Sequence, residues 1–439
     1  MLTRILLTLL LCLSVLSRIS AQTSQAPTSP SATNVASKSA KRITEYTLSP
    51  ELLKKAKTLG TIRFAFRIFS FFFSLFALWL ILRLKWSAKF RDIAERASRF
   101  RFTQAFVFTP LFAITFSLLL LPLDLFSETL LKHFGISVQT WSSWTGDWFK
   151  SLLLTVIIGS FLAWLLFLVI RKSPHRWWFY FWLVFVPIAL FIFFVQPLII
   201  DPMFSKFEPL SAKAPDLIPQ LERITLRGGM PIPPDRMFWM LASDKTIYTN
   251  AYVTGIGATK RVVIWDTSIT KETTGGILTM FGHELGHYVL NHVWKGLVFA
   301  CAMALALFYL GYRTIGRLLI RYGSSWSVRG VDDWAALPAL ILLVTFFGFT
   351  ANAIGNTYSR YQENQADIYS LEVTHDIVAD AGQECAASFQ MFGEQVFVDP
   401  DPNPVNVFLF FDHPTVKDRV HLCVSYDPWS KGQSSQFVK

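Results

Sequence analysis

WFYFWLVFVPIALFIFFVQPLI (residues 178–199) contains no charged residue and is long enough to cross a bilayer as a helix. Five further apolar stretches of spanning length lie near residues 64–84, 104–125, 151–170, 295–316 and 336–355. A buried helix of a soluble protein rarely stays apolar on all sides for so long. The sequence therefore predicts a mostly α-helical, integral membrane bundle with about six spans.

The composition of the 439 residues also favours a membrane protein. Charged residues make up 16% of the chain, against about 25% in an average soluble protein. Phe occurs 41 times and Trp 15 times, as expected of lipid-facing helices with aromatic belts at the interfaces. The net charge of +11 is concentrated in short loops beside the spans, which indicates orientation in a bilayer. We expect the lipid bilayer as a partner and no nucleic acid.

The first 21 residues have the pattern of a cleavable secretory signal. Arg4 precedes an apolar run, and the small residues Ser20 and Ala21 end it, so we expect cleavage after Ala21. An uncleaved first span is the alternative, although its apolar run is short for about 30 Å of hydrocarbon. Residues 22–60 follow as a flexible linker and an amphipathic segment leading to the first of the four spans within residues 61–200.

Two polar segments interrupt the apolar pattern. Residues 201–294 contain RMFWMLAS (236–243) and KRVVIWDTSI (260–269), which their β-branched and aromatic residues predict to be strands. Residues 356–439 are polar and acidic. Because the two spans within residues 295–355 separate these segments, both lie on the same side of the membrane. We expect them to form one small α+β domain.

The first polar segment contains an HExxH motif, His283-Glu284-Leu285-Gly286-His287, on a stretch with helical spacing. Helical residues turn by about 100° each, so the two imidazoles project from one face toward a single metal ion. Glu284 lies one residue along and reaches a water held by that ion. The motif also arises by chance, and the alternative is two surface histidines on an amphipathic helix.

A catalytic zinc ion takes three protein ligands and keeps its fourth position for water. Leu290 and Val293 occupy the positions where the longer HExxHxxGxxH pattern has Gly and the third His, so that pattern is excluded. His292 lies about 140° round the helix from His287, and we do not expect it at the ion. The third ligand is therefore expected to be a carboxylate from elsewhere in the chain.

The second polar segment supplies such a carboxylate in RYQENQAD (360–367). Glu363 has the chemistry of a zinc ligand. Asp367 lies four residues later on the same helical face, where it accepts the N–H of a ligand imidazole and fixes its orientation. The alternative for this acidic pair is a solvated helix face.

These motifs, with others in the same order, resemble the type I CAAX prenyl protease family of integral-membrane zinc metallopeptidases and its bacterial relatives. The resemblance runs from about residue 60 to residue 425 and rests on PMFSKFEPL (202–210), Asn250-Ala251-Tyr252 with Gly255, KRVVIWDTSI, GHELGHYVLNH (282–292), SRYQENQAD (359–367) and FFDHPTVKDRV (410–420). The eukaryotic members have seven spans and a long charged insert before HExxH, whereas this chain has six predicted spans and no such insert.

The resemblance implies a role for each matching residue. It implies one zinc ion per chain held by His283, His287 and Glu363, with Glu284 as general base and with Asp367 and Arg360 behind the ligands. His413 would stabilise the transition state, and Arg419 would support that end of the site. The substrate backbone would be held along an edge strand by Asn250, Ala251, Tyr252 and Gly255. Two residues have simpler alternatives. Pro414 suits the first turn of a helix, which places His413 at its N-terminal edge, facing outward, where the alternative role is helix capping. Tyr252 alone is typical of a packing aromatic.

The predicted function is that of a membrane-embedded zinc metalloendopeptidase acting on membrane-associated peptides or proteins. The ion acidifies a water, Glu284 takes its proton, and the proton passes to the leaving amine. An alternative is an enzyme of the same chemistry that serves membrane-protein quality control. A non-enzymatic scaffold or transporter is the alternative from another class, but transporters place ionisable residues within spans, and these spans are almost free of them.

The charge pattern predicts the orientation of a multi-pass protein, which we expect in a bacterial inner membrane. Loop 83–101 carries seven basic and two acidic residues, whereas segment 355–439 carries five basic and 12 acidic residues. The positive-inside rule therefore places the catalytic side outside the cytoplasm, although the cluster Lys54, Lys55 and Lys57 opposes it. In such a compartment, Cys385 and Cys423 have the opportunity to form a disulfide.

Overall fold

The structure, a computed structural model, describes residues 42–255 and 260–438. The predicted signal sequence and residues 22–41 of the predicted linker lie outside the described residues. The α-helices of six or more residues are, in chain order, α1 (Pro50–Arg83), α2 (Trp86–Ala97), α3 (Arg101–His133), α4 (Trp141–Lys172), α5 (Trp177–Val195), α6 (Ile218–Arg227), α7 (Asp266–Lys271), α8 (Thr274–Val289), α9 (His292–Trp326), α10 (Leu337–Thr374), α11 (Ala381–Gln395), α12 (Pro404–Phe410) and α13 (Val416–Ser425). The strands are β1 (Phe207–Pro209), β2 (Met237–Met240), β3 (Ala251–Thr254) and β4 (Arg261–Trp265).

Six helices of the described chain are long and apolar enough to cross a bilayer, namely α1, α3, α4, α5, α9 and α10. This confirms the predicted helical membrane bundle. The helices extend beyond the apolar runs that predicted them, because backbone hydrogen bonding continues into the polar flanks. Thus α1 begins at Pro50, where the Ser49 side chain caps it by accepting a hydrogen bond from the backbone N–H of Leu52. At the other end of the chain, α10 continues to Thr374.

The bundle has an apolar interior and an apolar exterior. Trp334 is fully buried, its ring centroid lies 4.7 Å from that of Phe167, and its indole N–H donates to the Oε1 of Gln104. Outward-facing side chains such as Phe72 and Ile320 remain largely exposed. An exposed apolar surface of this extent is expected of helices that contact lipid.

The small sheet has the strand order β1-β2-β4-β3. β2 and β4 are parallel and correspond to the two strands that the sequence predicts, whereas β1 and β3 are antiparallel additions at the two edges. Ala251 and Val253 face the apolar cluster that includes Phe281 of α8, and Tyr252 faces the opposite side of the sheet. The sheet therefore covers one side of the helix that carries HExxH.

Helix α8 also packs closely against the extension of α10. A Cβ on Gly286 would lie 2.9 Å from the Tyr369 ring, and a Cβ on Gly282 would lie 3.0 Å from a methyl group of Val373. Only residues without a side chain allow this approach. The two glycines therefore bring the HExxH helix against the helix that carries Glu363.

A disulfide between Cys385 and Cys423 joins α11 to α13. The sequence left this pairing open. Both sulfur-bearing side chains lie in a buried apolar cluster with Val416 and Val420 of α13. The disulfide thus attaches the helix that carries Arg419 to the rest of the catalytic domain.

Candidate active site

The three predicted metal ligands converge at the contact between α8 and α10. Helix α8 begins after Thr273, whose side chain accepts a hydrogen bond from the N–H of Gly276, and presents His283 and His287 one turn apart. Their Nε2 atoms lie 3.1 Å apart. Glu363 Oε2 lies 3.2 Å from His283 Nε2, and Glu363 Oε1 lies 3.5 Å from His287 Nε2.

The geometry fits a divalent metal ion. One donor atom from each of His283, His287 and Glu363 lies within 4.8 Å of the others. The buried Oε2 of Glu363 has imidazole nitrogens of His283 and His413 at 3.2 Å, but neither contact has hydrogen-bond geometry. A buried carboxylate oxygen without a hydrogen bond is costly, and two imidazoles with one carboxylate are the donor set of catalytic zinc sites.

The second nitrogen of His283 is held by an ion pair. Its Nδ1 lies 2.7 Å from Asp367 Oδ1. Arg419 of α13 donates to both oxygens of this carboxylate, through Nε at 2.8 Å and Nη2 at 2.6 Å. Because Asp367 is 2% exposed, the arginine neutralises a carboxylate that has little water around it.

The two candidate ligand histidines differ in their pKa values. Burial lowers the pKa of His283, but the carboxylates of Asp367 and Glu363 outweigh it and raise the pKa to about 10. For His287, burial prevails and lowers the pKa to about 3. Without a metal, the first imidazole is therefore a cation at neutral pH and the second is neutral.

Glu284 lies near the candidate ligands. Its charged neighbours are His283, Glu363, His413 and Arg419. Burial raises the pKa of its carboxyl group above the ordinary value. A carboxylate with a raised pKa beside the ligands suits proton transfer, as the HExxH motif predicts.

His413 approaches the ligands from the C-terminal segment. Its Nε2 lies 3.2 Å from Glu363 Oε2, and its Nδ1 lies 3.0 Å from Asp412 Oδ1. Burial lowers the pKa of His413, but the two carboxylates outweigh it and raise the pKa. The structure thus provides this imidazole with a carboxylate partner, Asp412, that the sequence analysis did not identify.

The position of His413 relative to the helix differs from the prediction. We expected Pro414 in the first helical turn, but α13 begins at Val416. Thr415 is the capping residue instead, and its side chain accepts a hydrogen bond from Asp418 N. A hydroxyl acceptor at this position satisfies the free N–H groups better than a histidine two residues earlier. His413 therefore lies in the loop and is available to the site.

Arg360 is not where the sequence analysis placed it. Its guanidinium donates to the backbone carbonyls of Val407 and Phe411 and to the hydroxyl of Thr357, and not to a group behind the metal ligands. On α10, residue 360 is three residues before Glu363 and thus about 60° round the helix. Arg360 instead fixes the segment that leads to His413.

The predicted substrate strand lies at the edge of the sheet. β3 pairs with β4 along one side, and its other side has no strand partner in the described sheet. Asn250 directly precedes β3, its backbone O accepts from Trp265 N, and Gly255 follows with a φ of 85°. Tyr252 packs its side chain away from α8 and directs its hydroxyl toward the sulfur of Met240 at 3.8 Å. Only its backbone is therefore suited to a substrate role.

His292 lies outside the candidate ligand set, as expected, and makes a contact that the sequence did not predict. It does not lie among the ligands, but its Nδ1 is 3.2 Å from the Nδ1 of His287, on the side away from Glu363. The helix breaks between Val289 and His292, with Asn291 in the left-handed conformation at a φ of 58°. The angle of about 140° holds only for an unbroken helix, and Asn291 was the available signal for the break because Asn tolerates positive φ.

Family models match most of the chain. Residues 32–206 match the model described as CAAX prenyl protease N-terminal, five membrane helices. Residues 211–424 match peptidase family M48. The second match covers strands β2, β3 and β4, helix α8, the extension of α10 and the loop with His413, which are the parts that form the site.

Individual relatives agree with the family models. The chain is 36% identical over 337 residues to the uncharacterized metalloprotease YhfN of Bacillus subtilis, covering 76% of each protein. It is 30% identical over 285 residues to CAAX prenyl protease 1 of Saccharomyces cerevisiae, covering 62% of each. The crystal structure of S. mikatae Ste24p matches with a TM-score of 0.74 at 24% identity, covering 86% of this chain and 90% of that one, which shows a shared fold.

Proposed function

The chain belongs to peptidase family M48 and is a membrane-embedded metalloprotease, and on this basis we propose that it is a zinc endopeptidase. The observation that carries the proposal is the convergence of His283, His287 and Glu363 beside Glu284. Their chemistry favours zinc over magnesium or calcium, which prefer sites with oxygen ligands only. A zinc ion bound there supplies a Lewis acid that polarises the scissile carbonyl and lowers the pKa of water.

The protein groups have distinct roles in this proposal. Glu284 accepts the proton of the attacking water and delivers it to the leaving amine. His413, whose pKa the nearby carboxylates raise, donates a hydrogen bond to the oxyanion that develops on the carbonyl. Asp367 and Arg419 hold the His283 ring in one orientation. No covalent bond to the enzyme forms, so water attacks the peptide carbonyl directly and no acyl-enzyme has to be hydrolysed.

The substrates are membrane-associated peptides or proteins that bind as an additional strand. The free side of β3 offers backbone N–H and C=O groups to an extended peptide. The strand belongs to a domain that is connected directly to the spans α5, α9 and α10, so a peptide segment at the membrane surface lies close to it. The relatives named CAAX prenyl protease 1 make a prenylated peptide one member of this substrate class.

The active site faces away from the cytoplasm of a bacterial cell, in the inner membrane. Loops 83–101, 171–176 and 313–330 lie on the opposite side and carry 14 basic residues in total, against two acidic ones. The disulfide between Cys385 and Cys423 supports this orientation, because disulfides persist in oxidising compartments. The opposing basic cluster before the first span has local partners, since Lys55 pairs with Glu51 and Lys57 lies near Asp401.

Reporter fusions test the orientation independently of catalysis. A reporter that is active only outside the cytoplasm is expected to function after residue 438 and to be silent in the loop near residue 90. The reverse pattern would place the active site in the cytoplasm and refute this part of the proposal.

Peptide cleavage by purified protein tests the enzymatic proposal. We expect cleavage of an unfolded peptide, loss of cleavage with a zinc chelator, and its return when zinc is added. Glu284→Gln is expected to lower kcat by about 100-fold or more while zinc stays bound, because general acid–base catalysis contributes about 10²–10⁴-fold. Hydrolysis at the wild-type rate by Glu284→Gln would refute the assignment of the base.

A further inference from the structure

The two candidate ligand histidines differ in the group that lies next to their Nδ1 atoms. A histidine that binds a metal through Nε2 carries its proton on Nδ1, and that N–H needs an acceptor. For His283 the acceptor is the charged carboxylate of Asp367. For His287 the Nδ1 atom faces the Nδ1 atom of His292 at 3.2 Å.

His292 has a position suited to this task. It is the first residue of α9 and is 3% exposed. The left-handed Asn291 turns the chain at this point, so the ring of His292 lies beside that of His287, with 5.2 Å between the ring centroids. Because the ring is buried and close to one neighbour, its hydrogen bonds are restricted to the groups on either side.

A third residue determines which nitrogen of His292 carries the proton. The Nε2 of His292 lies 3.2 Å from Oε1 of Gln365, and Nε2 of Gln365 donates to the hydroxyl of Tyr361 at 3.3 Å. An amide oxygen only accepts hydrogen bonds, so His292 donates from Nε2 and leaves the lone pair of Nδ1 free. That lone pair is the acceptor that His287 needs.

We propose that His292 and Gln365 are positioning residues that hold His287 in the tautomer and orientation required of a zinc ligand. The hydrogen bonds run in one direction, from His287 Nδ1–H to His292 Nδ1 and from His292 Nε2–H to Gln365 Oε1. The inference rests on the proposed function in that it takes His287 to be a ligand. It assigns different hydrogen-bond partners to the Nδ1 atoms of the two ligand histidines. His283 has the ion pair of Asp367 and Arg419, and His287 has a series of uncharged side chains, His292 and Gln365.

The chain contains a matched control for Gln365. Gln362 lies three residues earlier on α10, and its amide donates to the backbone carbonyl of His292 at 3.4 Å without reaching the ring. Gln362→Ala and Gln365→Ala remove the same chemical group from the same helix. Only the second removes the acceptor for the imidazole.

The test measures zinc affinity by chelator competition on full-length protein in detergent, in the Glu284→Gln background, so that no hydrolysis is required. Removing such an outer partner of a metal ligand typically costs about 10–100-fold in affinity. We expect Gln365→Ala to weaken zinc binding by about 10-fold and Gln362→Ala by less than about two-fold. Equal zinc affinities for these two variants would overturn the proposal.

A second pair of variants separates positioning from packing. His292→Phe keeps a buried ring but removes the acceptor, and His292→Gln keeps an acceptor on a flexible side chain. We expect His292→Phe to lose about 10–100-fold in zinc affinity and His292→Gln to recover a large part of that loss. If both variants bind zinc as tightly as the parent protein, His292 has no positioning role. Failure of the parent protein to bind zinc would instead refute the proposed function itself.

Discussion

The two ends of α10 differ in which kinds of side chain are exposed and which are buried. Toward its N-terminus, large apolar side chains such as Phe346 and Ile354 are about half exposed, at 54% and 49%. Toward its C-terminus, Asp367, Ser370 and Glu372 are at most 2% exposed. One continuous helix is thus apolar on the outside where it crosses the bilayer and polar on the inside where it enters the catalytic domain.

The difference follows from the solvent that surrounds each half. Lipid accepts apolar side chains, so the spanning half needs few specific contacts on its outer face. In the catalytic half, each buried polar group needs a defined partner, as Asp367 has in Arg419 and Glu372 in the hydroxyl of Tyr426 and three backbone N–H groups of the C-terminal segment. We therefore expect substitutions to be tolerated in the spanning half and to be costly in the catalytic half.

The largest expected effect comes from breaking the ion pair behind His283. Arg419→Ala leaves Asp367 buried without its cation, and removing one partner of a buried pair costs about 3–5 kcal/mol. Arg360→Ala is the control on α10, because this arginine contacts backbone carbonyls and is expected to cost about 1.5–3 kcal/mol. Denaturant unfolding in detergent measures both. A smaller decrease in the free energy of unfolding for Arg419→Ala than for Arg360→Ala would contradict a buried ion pair between Arg419 and Asp367.

The disulfide gives the next largest effect. Replacing Cys385 and Cys423 together by Ser is expected to lower the free energy of unfolding by about 2–4 kcal/mol, because the unfolded chain regains its freedom. Cys301 of α9 is not disulfide-bonded, and Cys301→Ser is the control in the spanning half. Unfolding with and without reductant measures the difference. Free thiols at residues 385 and 423 in a non-reduced sample would show that the bond does not form.

Adding one methyl group at a glycine compares the packing of the catalytic domain with that of the spanning helices. Gly286→Ala places a Cβ 2.9 Å from the Tyr369 ring, and overpacking of this kind costs about 1–3 kcal/mol. A Cβ on Gly311 of α9 would meet nothing within 4 Å, so Gly311→Ala is expected to be neutral or slightly stabilising. Thermal unfolding in detergent measures both variants. Equal Tm values would show that α8 and α10 do not pack this tightly.

The smallest expected effect is the release of a proton when zinc binds. The pKa of His283 is about 10 without metal, and that of His287 is about 3, so only the first carries a proton that zinc must displace at neutral pH. Zinc binding at pH 7–8 is therefore expected to release about one proton from these ligands. Its apparent affinity rises by up to about 10-fold per pH unit until the pH reaches the pKa of His283. Calorimetry in buffers of different ionisation enthalpy counts the proton, and zinc uptake without proton release would contradict these pKa values.

The sequence predicted the features that depend on local pattern. The apolar runs predicted the six spans, and β-branched and aromatic residues predicted β2 and β4. The spacing within HExxH and within ExxxD identified His283, His287, Glu363 and Asp367, which the structure brings together from positions 80 residues apart. Each of these patterns lies within one helix or strand, where periodicity fixes which side chains share a face.

The features that the sequence did not predict depend on contacts between segments. The break before His292 depends on one left-handed residue, and a single Asn is a weak signal. Arg360 and Asp412 acquire their partners only when α10 meets the loop before α13, and β1 is too short to show a pattern. Such contacts become visible only after the segments have been placed in three dimensions.

Anomalous diffraction at the zinc edge, on crystals of the Glu284→Gln protein, tests the metal centre most directly. The account predicts one peak per chain, within about 2.0–2.2 Å of both imidazole Nε2 atoms and of a Glu363 oxygen, with a fourth position open to solvent. A protein without zinc, or a peak that lies away from Glu363, would contradict it.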